Sequence, residues 1–314
     1  MSTYDTVPEL ELSAFTHGSD ADRKAFCDDL YKGFKYFGFI ILRDHGISEE
    51  LLERAYTLNE QFFALPRDTK MKYDSGQGGQ RGYTAFGREH AKDQPVADLK
   101  EFWHVGREFA DGDPLGDIYP PNMWPDAELP EYRATFLELY GALENAGHTM
   151  LEALAPSLNL PADYFRDLAT NGNSILRLLH YPPIPDDADP NAVRAAAHED
   201  INLITLLVAA SSSGLELLDR DGKWLPVEGS PNALIVDAGD MLARITNNLI
   251  PATTHRVVNP SGPNVARYSM PFFMHPRSDA MLACIDQCRD GSEQPDIIAD
   301  DFLKERLREI GLTA

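Results

Sequence analysis

Cysteine is scarce: Cys27, Cys284 and Cys288 are the only three in 314 residues. An odd, small number in a long chain excludes a disulfide framework and points to a reducing compartment. Cys284 and Cys288 lie four apart but have no further thiol to complete a metal site, and nothing else in the sequence assigns them a role. No apolar run approaches the ~18 residues a membrane span needs. The opening MSTYDTVPELELSAF has no basic start followed by an apolar stretch, so the chain reads as cytoplasmic, with no membrane partner. Positive charge is short as well: 28 Lys and Arg stand against 50 Asp and Glu, for a net charge of −22. Such a surface repels phosphate backbones, which excludes nucleic acid as a default partner and leaves a small molecule as the expected one. An anionic ligand would need its own local basic pocket. Gly-rich phosphate loops of the dinucleotide or P-loop type are also absent. Oligomeric state is not readable from these features.

What is present falls into two halves. Apolar residues at Phe26, Leu30, Phe34 and Phe37, stopped by Gly38, predict an amphipathic helix from about Asp20. The following FGFIILRDHG reads as a buried strand. Ser48 then caps a helix carrying Glu49 and Glu50 in its first turn, ended by Pro66. Residues 74–100, rich in Gly, Gln and Asp, read as a long and therefore functional loop. Helical spacing returns from Pro130 to about Leu154. Beyond Asn173 come the strand-like runs SILRLLHY, LITLLVA, GLELL, KWLPV, ALIVDAG, HRVV and RYSMPFFM, separated by turn chemistry. A last helix is expected from Asp300 to Ile310, stopped by Gly311. Helices first and strands afterwards argue against a doubly wound parallel sheet. The fold is expected to be mainly β with flanking helices: a closed barrel or jelly roll behind a helical N-terminal region. Residues 1–120 form the N-terminal region and 121–314 the core with its C-terminal helix, together one compact unit.

The sharpest chemical feature is His198-Glu199-Asp200. On extended backbone, residues i and i+2 share a face, so His198 and Asp200 can reach one metal ion while Glu199 points away. His255 follows 57 residues later at the head of HRVV. Two imidazoles and one carboxylate leave open positions on an octahedral ion, the arrangement of non-haem Fe(II) oxygenases. Taken alone, His-x-Asp is more often a surface turn. Arg267 and Ser269 are also i and i+2 on a strand-like run, and can grip one carboxylate together. The interval from His255 to Arg267 suits one turn and a return along a neighbouring strand. Of the other histidines, His17, His45, His90, His148 and His275, like the tryptophans Trp103 and Trp224, read as packing or surface groups.

With these residues in view, the chain resembles the 2-oxoglutarate and Fe(II)-dependent dioxygenases of the isopenicillin N synthase-like group. The likeness runs through VPELELSAF, GFIILRDHGI, FFALPRDTKMKY, RGYTAF, HYPP at 180–183, HEDINLITLL, GLELLDRDGKWLPV, Gly239-Asp240, ITNN, HRV and RYSMPFFMHP. It implies a double-stranded β-helix and Fe(II) held by His198, Asp200 and His255. It also implies that Arg267 and Ser269 hold the distal carboxylate of 2-oxoglutarate, beside Tyr181. O2 is then the second cosubstrate, with succinate and CO2 as products and hydroxylation as the default outcome; desaturation and ring closure stay open. The chain departs from many relatives in Glu199, where they have Thr, and in Leu179, where they have Asn.

Candidate substrate residues are Arg81, Tyr83, Phe86 and His104 from the N-terminal region, with Asn247 and Phe273 from the core. Arg81 could pair a carboxylate, which suggests a small organic acid or an amino-acid derivative as substrate. Two rival readings remain at this point. One is an oxidase of the same fold that takes its electrons from the substrate or from ascorbate. The other, more distant, is a β-helix module that binds a ligand without catalysis.

Overall fold

The N-terminal helix forms where its caps place it. The Ser19 hydroxyl accepts the Asp22 N–H while the Asp22 carboxylate accepts the Ser19 N–H, closing a capping box. Gly38 ends the helix at φ 67°, in the left-handed region that glycine adopts without cost. In the computed structural model, which describes residues 6–76, 80–89, 98–189, 192–208, 213–230 and 232–309, this helix is α2 (Asp20–Phe37). The short α1 (Leu12–Thr16) precedes it. Next come α3 (Glu49–Phe63), whose first turn is capped by Ser48, and α4 (Arg67–Lys70). The long α5 (Tyr132–Leu154) and α6 (Tyr164–Ala169) lead into the strand-rich half. There α7 (Asp240–Ile245) and α8 (Ala299–Glu309) complete the helices; the expected end of α8 at Gly311 lies outside the described residues.

The strands are β1 (Glu9–Glu11), β2 (Phe39–Arg43), β3 (Gly82–Thr84), β4 (Glu101–Gly106), β5 (Ile175–Tyr181), β6 (Ala195–His198) and β7 (Ile204–Val208). They continue as β8 (Leu215–Leu218), β9 (Trp224–Pro226), β10 (Leu234–Ala238), β11 (His255–Val257) and β12 (Arg267–Met274), with a small hairpin of β13 (Met281–Leu282) and β14 (Ile297–Ile298). Eight form one sheet in the order β1-β2-β10-β7-β12-β5-β4-β3, and four form a second, β6-β11-β8-β9. Residues from both sheets share one apolar cluster: Phe39, Phe102, Leu179 and Ile235 from the large sheet, Ala195, Leu217 and Val257 from the small one. The two sheets therefore pack face to face as a double-stranded β-helix.

The opposite face of the large sheet carries the helices. Trp103, Leu176, Leu178, Leu206, Val236 and Phe272 join Phe34, Phe62, Tyr132, Phe136 and Leu143 of α2, α3 and α5 in the main core. Strand alternation thus sorts side chains of one sheet into a helix-facing set and an inward set.

One expectation needs correction, two strands escaped the sequence reading, and the N-terminal strands join the core sheet. Residues 74–100 are not loop throughout, because β3 lies among them, while 77–79 and 90–97 are outside the described residues. Strand β4, next to the edge strand β3, carries the charged Glu101 in a buried position, which masked it as a strand; Lys70, Tyr83 and His180 satisfy its carboxylate. The Ala-rich β6 has low strand propensity and owes its form to pairing with β11. Finally, β1 to β4 all enter the large sheet, so the strands of residues 1–120 are continuous with those that follow.

Candidate active site

His198, at the end of β6, pairs in register with His255, at the start of β11. Asp200 sits just beyond β6, off the strand rather than on it, so a turn and not strand parity brings it back toward His198. That turn is pinned from the β10–α7 corner: the N–H groups of Gly239 and Asp240 donate to the carbonyls of Leu203 and Asp200. A side chain at Gly239 would have its Cβ 2.4 Å from the Asn202 carbonyl oxygen, which requires glycine there.

The outcome is a converging donor set. One ligand atom from each of His198, Asp200 and His255 lies within 4.8 Å of the others, and both histidine Nε2 atoms are 3.8 Å from Asp200 Oδ1. The two rings fix their own tautomers. His198 Nδ1 is 2.7 Å from the Ala196 carbonyl and His255 Nδ1 is 3.0 Å from the Thr253 carbonyl. A carbonyl only accepts, so each Nδ1 carries a proton and each Nε2 is turned toward Asp200. Burial and the neighbouring His255 push His198 down to about 4, which keeps it neutral and able to ligate. Burial alone would raise Asp200; the two histidines and the Thr205 hydroxyl outweigh it and hold the carboxyl below its usual range. The Thr205 hydroxyl donates to Asp200 Oδ2, and Asn202 Nδ2 donates to Thr205 at 2.9 Å. Asp237, inward on β10, hydrogen-bonds Asp200 and is pushed well up by burial and by that neighbouring charge. Two imidazole nitrogens and one carboxylate on one side of a point, with backbone carbonyls and a hydroxyl orienting them, fit a non-haem Fe(II) ion.

A second polar cluster lies on β12 and β5. Arg267 and Ser269 are 1% and 2% exposed, and Arg267 Nη1 lies 3.4 Å from Ser269 Oγ. Arg267 pairs in register with Tyr181 and stacks its guanidinium 5.2 Å from that ring; Leu179 pairs with Ser269. His255 and Arg267 are on strands of facing sheets, not neighbouring strands of one sheet, since β11 belongs to the small sheet and β12 to the large. The twelve-residue interval crosses the sandwich and sets Arg267 and Ser269 on the sheet facing the one that carries His198 and His255.

Of the candidate substrate residues, His104 and Phe273 face inward. His104 Nε2 accepts from Arg177 Nε at 2.6 Å, and Phe273 pairs with Thr205, the residue that holds Asp200. Arg81 is 1% exposed, its guanidinium lying where a Cβ on Gly106 would be, and so on the face that His104 and Phe102 share. Tyr83 and Asn247 are elsewhere. Strand parity turns Tyr83 to the helix side, where it packs on Phe62 and donates to Glu101. The Asn247 amide is spent on the Cys288 carbonyl and Asp290. Phe86 is 40% exposed on the loop after β3.

Arg177, Glu89, Lys100 and Asp98, linked by ion pairs, escaped the sequence reading. Arg177 lies between the rings of Phe102 and Phe273, 4.3 and 5.2 Å from their centroids, and binds both oxygens of Glu89. Lys100 pairs with Glu89 and Asp98 at 2.7 and 2.8 Å. Burial would raise Glu89, but Arg177 and Lys100 outweigh it and hold the carboxyl far below its usual range. Parity with Leu179 and Tyr181 on β5 was the signal that would have found Arg177.

Comparison with known proteins converges on one family. Residues 7–127 match the family described as non-haem dioxygenase in morphine synthesis N-terminal, and residues 172–276 match the 2OG-Fe(II) oxygenase superfamily. A 2-oxoglutarate-dependent dioxygenase from Dothideomycetidae sp. is 32% identical over 302 residues, covering 88% of each chain. A 2-oxoglutarate-Fe(II) type oxidoreductase from Emericella nidulans is 34% identical over 92% of this chain and 84% of its own. Among solved structures, a 2OG-Fe(II) oxygenase family protein from Caulobacter crescentus is 42% identical with a TM-score of 0.87, covering 99% of this chain and 100% of that one. A full-length Neurospora crassa protein solved in complex with alpha-KG and thymine is 28% identical with a TM-score of 0.86, covering 96% of both. No helix among the described residues is long and apolar enough to cross a membrane. With sequence, fold and donor set in agreement, the chain belongs to the isopenicillin N synthase-like 2-oxoglutarate/Fe(II) oxygenases and is a hydroxylating dioxygenase that uses Fe(II), 2-oxoglutarate and O2.

Proposed function

We propose that this dioxygenase hydroxylates a small carboxylic acid, and that the substrate carboxylate is received by Arg81. The observation that carries this reading is a buried guanidinium whose Nε and Nη2 have no partner among the described residues. Burial pulls Arg81 below the usual arginine range without neutralising it. A buried cation with idle donors is costly unless an anion completes it.

Roles for the remaining residues follow from their chemistry. His198, Asp200 and His255 would hold the iron, with their Nε2 and carboxylate oxygen atoms as ligands. Arg267 and Ser269 would hold the distal carboxylate of 2-oxoglutarate, with Tyr181 against it. When bound, iron and 2-oxoglutarate together supply the oxidising power, with succinate and CO2 as co-products. The chain itself orients and shields: Phe102 and Phe273 keep water from the inward face, and His104, fixed as its Nδ1–H tautomer by Arg177, presents a neutral ring to the substrate. The match boundaries at 7–127 and 172–276 support treating 1–120 and 121–314 as two regions of one catalytic unit. Three free thiols support a cytoplasmic location.

The test is succinate release from the Fe(II)-loaded protein across a panel of small acids, each paired with its methyl ester or amide, with thymine as a neutral probe. Acids should turn over and their esters should not, and Arg81→Ala should abolish the preference while Arg81→Lys retains part of it. Turnover of thymine or of esters at rates unaffected by Arg81→Ala would overturn the carboxylate reading.

A further inference from the structure

The large sheet and the small sheet each bring a fully buried arginine to the Tyr181 end of the sandwich. One is Arg267. The other is Arg194, just before β6, also 1% exposed. Its backbone N–H donates to Asn259 Oδ1 at 3.1 Å, and its Nη2 donates to the Val265 carbonyl, two residues from Arg267. Nε of Arg194 is buried without a partner among the described residues. The two guanidinium charges are near enough that Arg267 adds to burial in lowering Arg194, and the Tyr181 phenol acts on both. Among the described residues no Asp or Glu forms an ion pair with Arg194, in a chain with 50 acidic residues to draw on.

Two like charges buried together destabilise the fold unless an anion neutralises them. A carboxylate from the chain would have served if stability were the only demand. Leaving the donor open reserves it for a ligand. We propose that Arg194 is a specificity-determining residue for the cosubstrate, a second cation that, with Arg267 and Ser269, selects a 2-oxo acid bearing a distal carboxylate. The inference rests on Arg267 and Ser269 being the cosubstrate site.

The experiment is an anaerobic titration of the full-length Fe(II)-loaded protein, following the visible absorption band of the iron–2-oxo acid chelate. The probes are 2-oxoglutarate and 2-oxobutyrate, which keeps the chelating end and lacks the distal carboxylate. Losing a charge-assisted hydrogen bond should weaken 2-oxoglutarate ~10- to 100-fold in Arg194→Gln and leave 2-oxobutyrate within about twofold. Arg194→Lys, which keeps charge and loses Nε, should fall between and is the variant to read if the glutamine form does not fold. Parallel weakening of both probes, or unchanged 2-oxoglutarate affinity in the lysine or glutamine variant, would overturn the proposal. Arg267→Gln separates the two levels: if it too leaves 2-oxoglutarate unaffected, the cosubstrate site itself is misassigned. If only the Arg194 variants are silent, the second cation alone is wrong.

Discussion

The two faces of the eight-stranded sheet are built from the same strands and serve opposite ends. On the helix side, β4 and β5 contribute Trp103, Val105, Leu176 and Leu178, all fully buried among apolar neighbours. One residue along each strand, the inward face carries His104, Arg177, Arg267, Ser269, Thr205 and Asp237. Burying this many polar groups costs stability, and the apolar face supplies the surplus that offsets it. A period of two lets one strand belong to a core and to an active site at once.

The sharpest way to break that division is to remove one of the proposed metal ligands. Asp200→Ala or His255→Ala should reduce iron binding and succinate release to background while the far-ultraviolet circular dichroism keeps its native form. Loss of fold instead would mean that the inward face is structural. On the other face, Trp103→Ala should cost about 3–5 kcal/mol in denaturant unfolding, the usual range for a large buried aromatic. Iron affinity of the folded fraction should stay near that of the parent.

Glu101 tests the exception, a charge on the apolar side. Burial would raise its carboxyl, but His180, Lys70 and Tyr83 outweigh it and hold it below the usual glutamate value of 4.5. A carboxylate depressed on folding stabilises the native state above its unfolded pKa, and that contribution is lost as pH falls through the folded value. Melting temperature should therefore drop as pH is lowered below about 4.5. Glu101→Gln should lower it at neutral pH, by leaving Lys70 buried and unpaired, and flatten the acid limb. An acid limb as steep as the parent's would assign it to other carboxylates. The smallest expected effect sharpens the inward side: Thr205→Val keeps the shape and removes the hydrogen bond to Asp200. Iron affinity should fall ~10- to 100-fold with little change in stability. An unchanged affinity would show that Asp237 orients the carboxylate without help from Thr205.

The same alternation explains what could be read beforehand. Helices α2, α3 and α5 announced themselves through caps and apolar spacing, and the strands β5, β7, β10 and β12 through their aliphatic and aromatic composition. His198, Asp200 and His255 were legible because the motif is local at one end and the family pattern supplies the other. Illegible were features that pairing imposes: the Ala-rich β6, the charged β4, and the inward row from Arg177 to Glu89, whose members are 88 residues apart. Tyr83 and Asn247 were misplaced because membership of a promising segment says nothing about which way a side chain turns.

Thr253 carries a consequence of its own. Its carbonyl accepts the ring proton of His255, and its hydroxyl donates to the Phe37 carbonyl at the end of α2 at 2.7 Å. A Cβ on Gly38 would stand 2.2 Å from that hydroxyl. Helix α2 and His255 thus share one hinge pin, and a fragment cut to the strand-rich half would arrive with that latch missing. A piece of this chain that keeps that latch begins before α2, far upstream of His255.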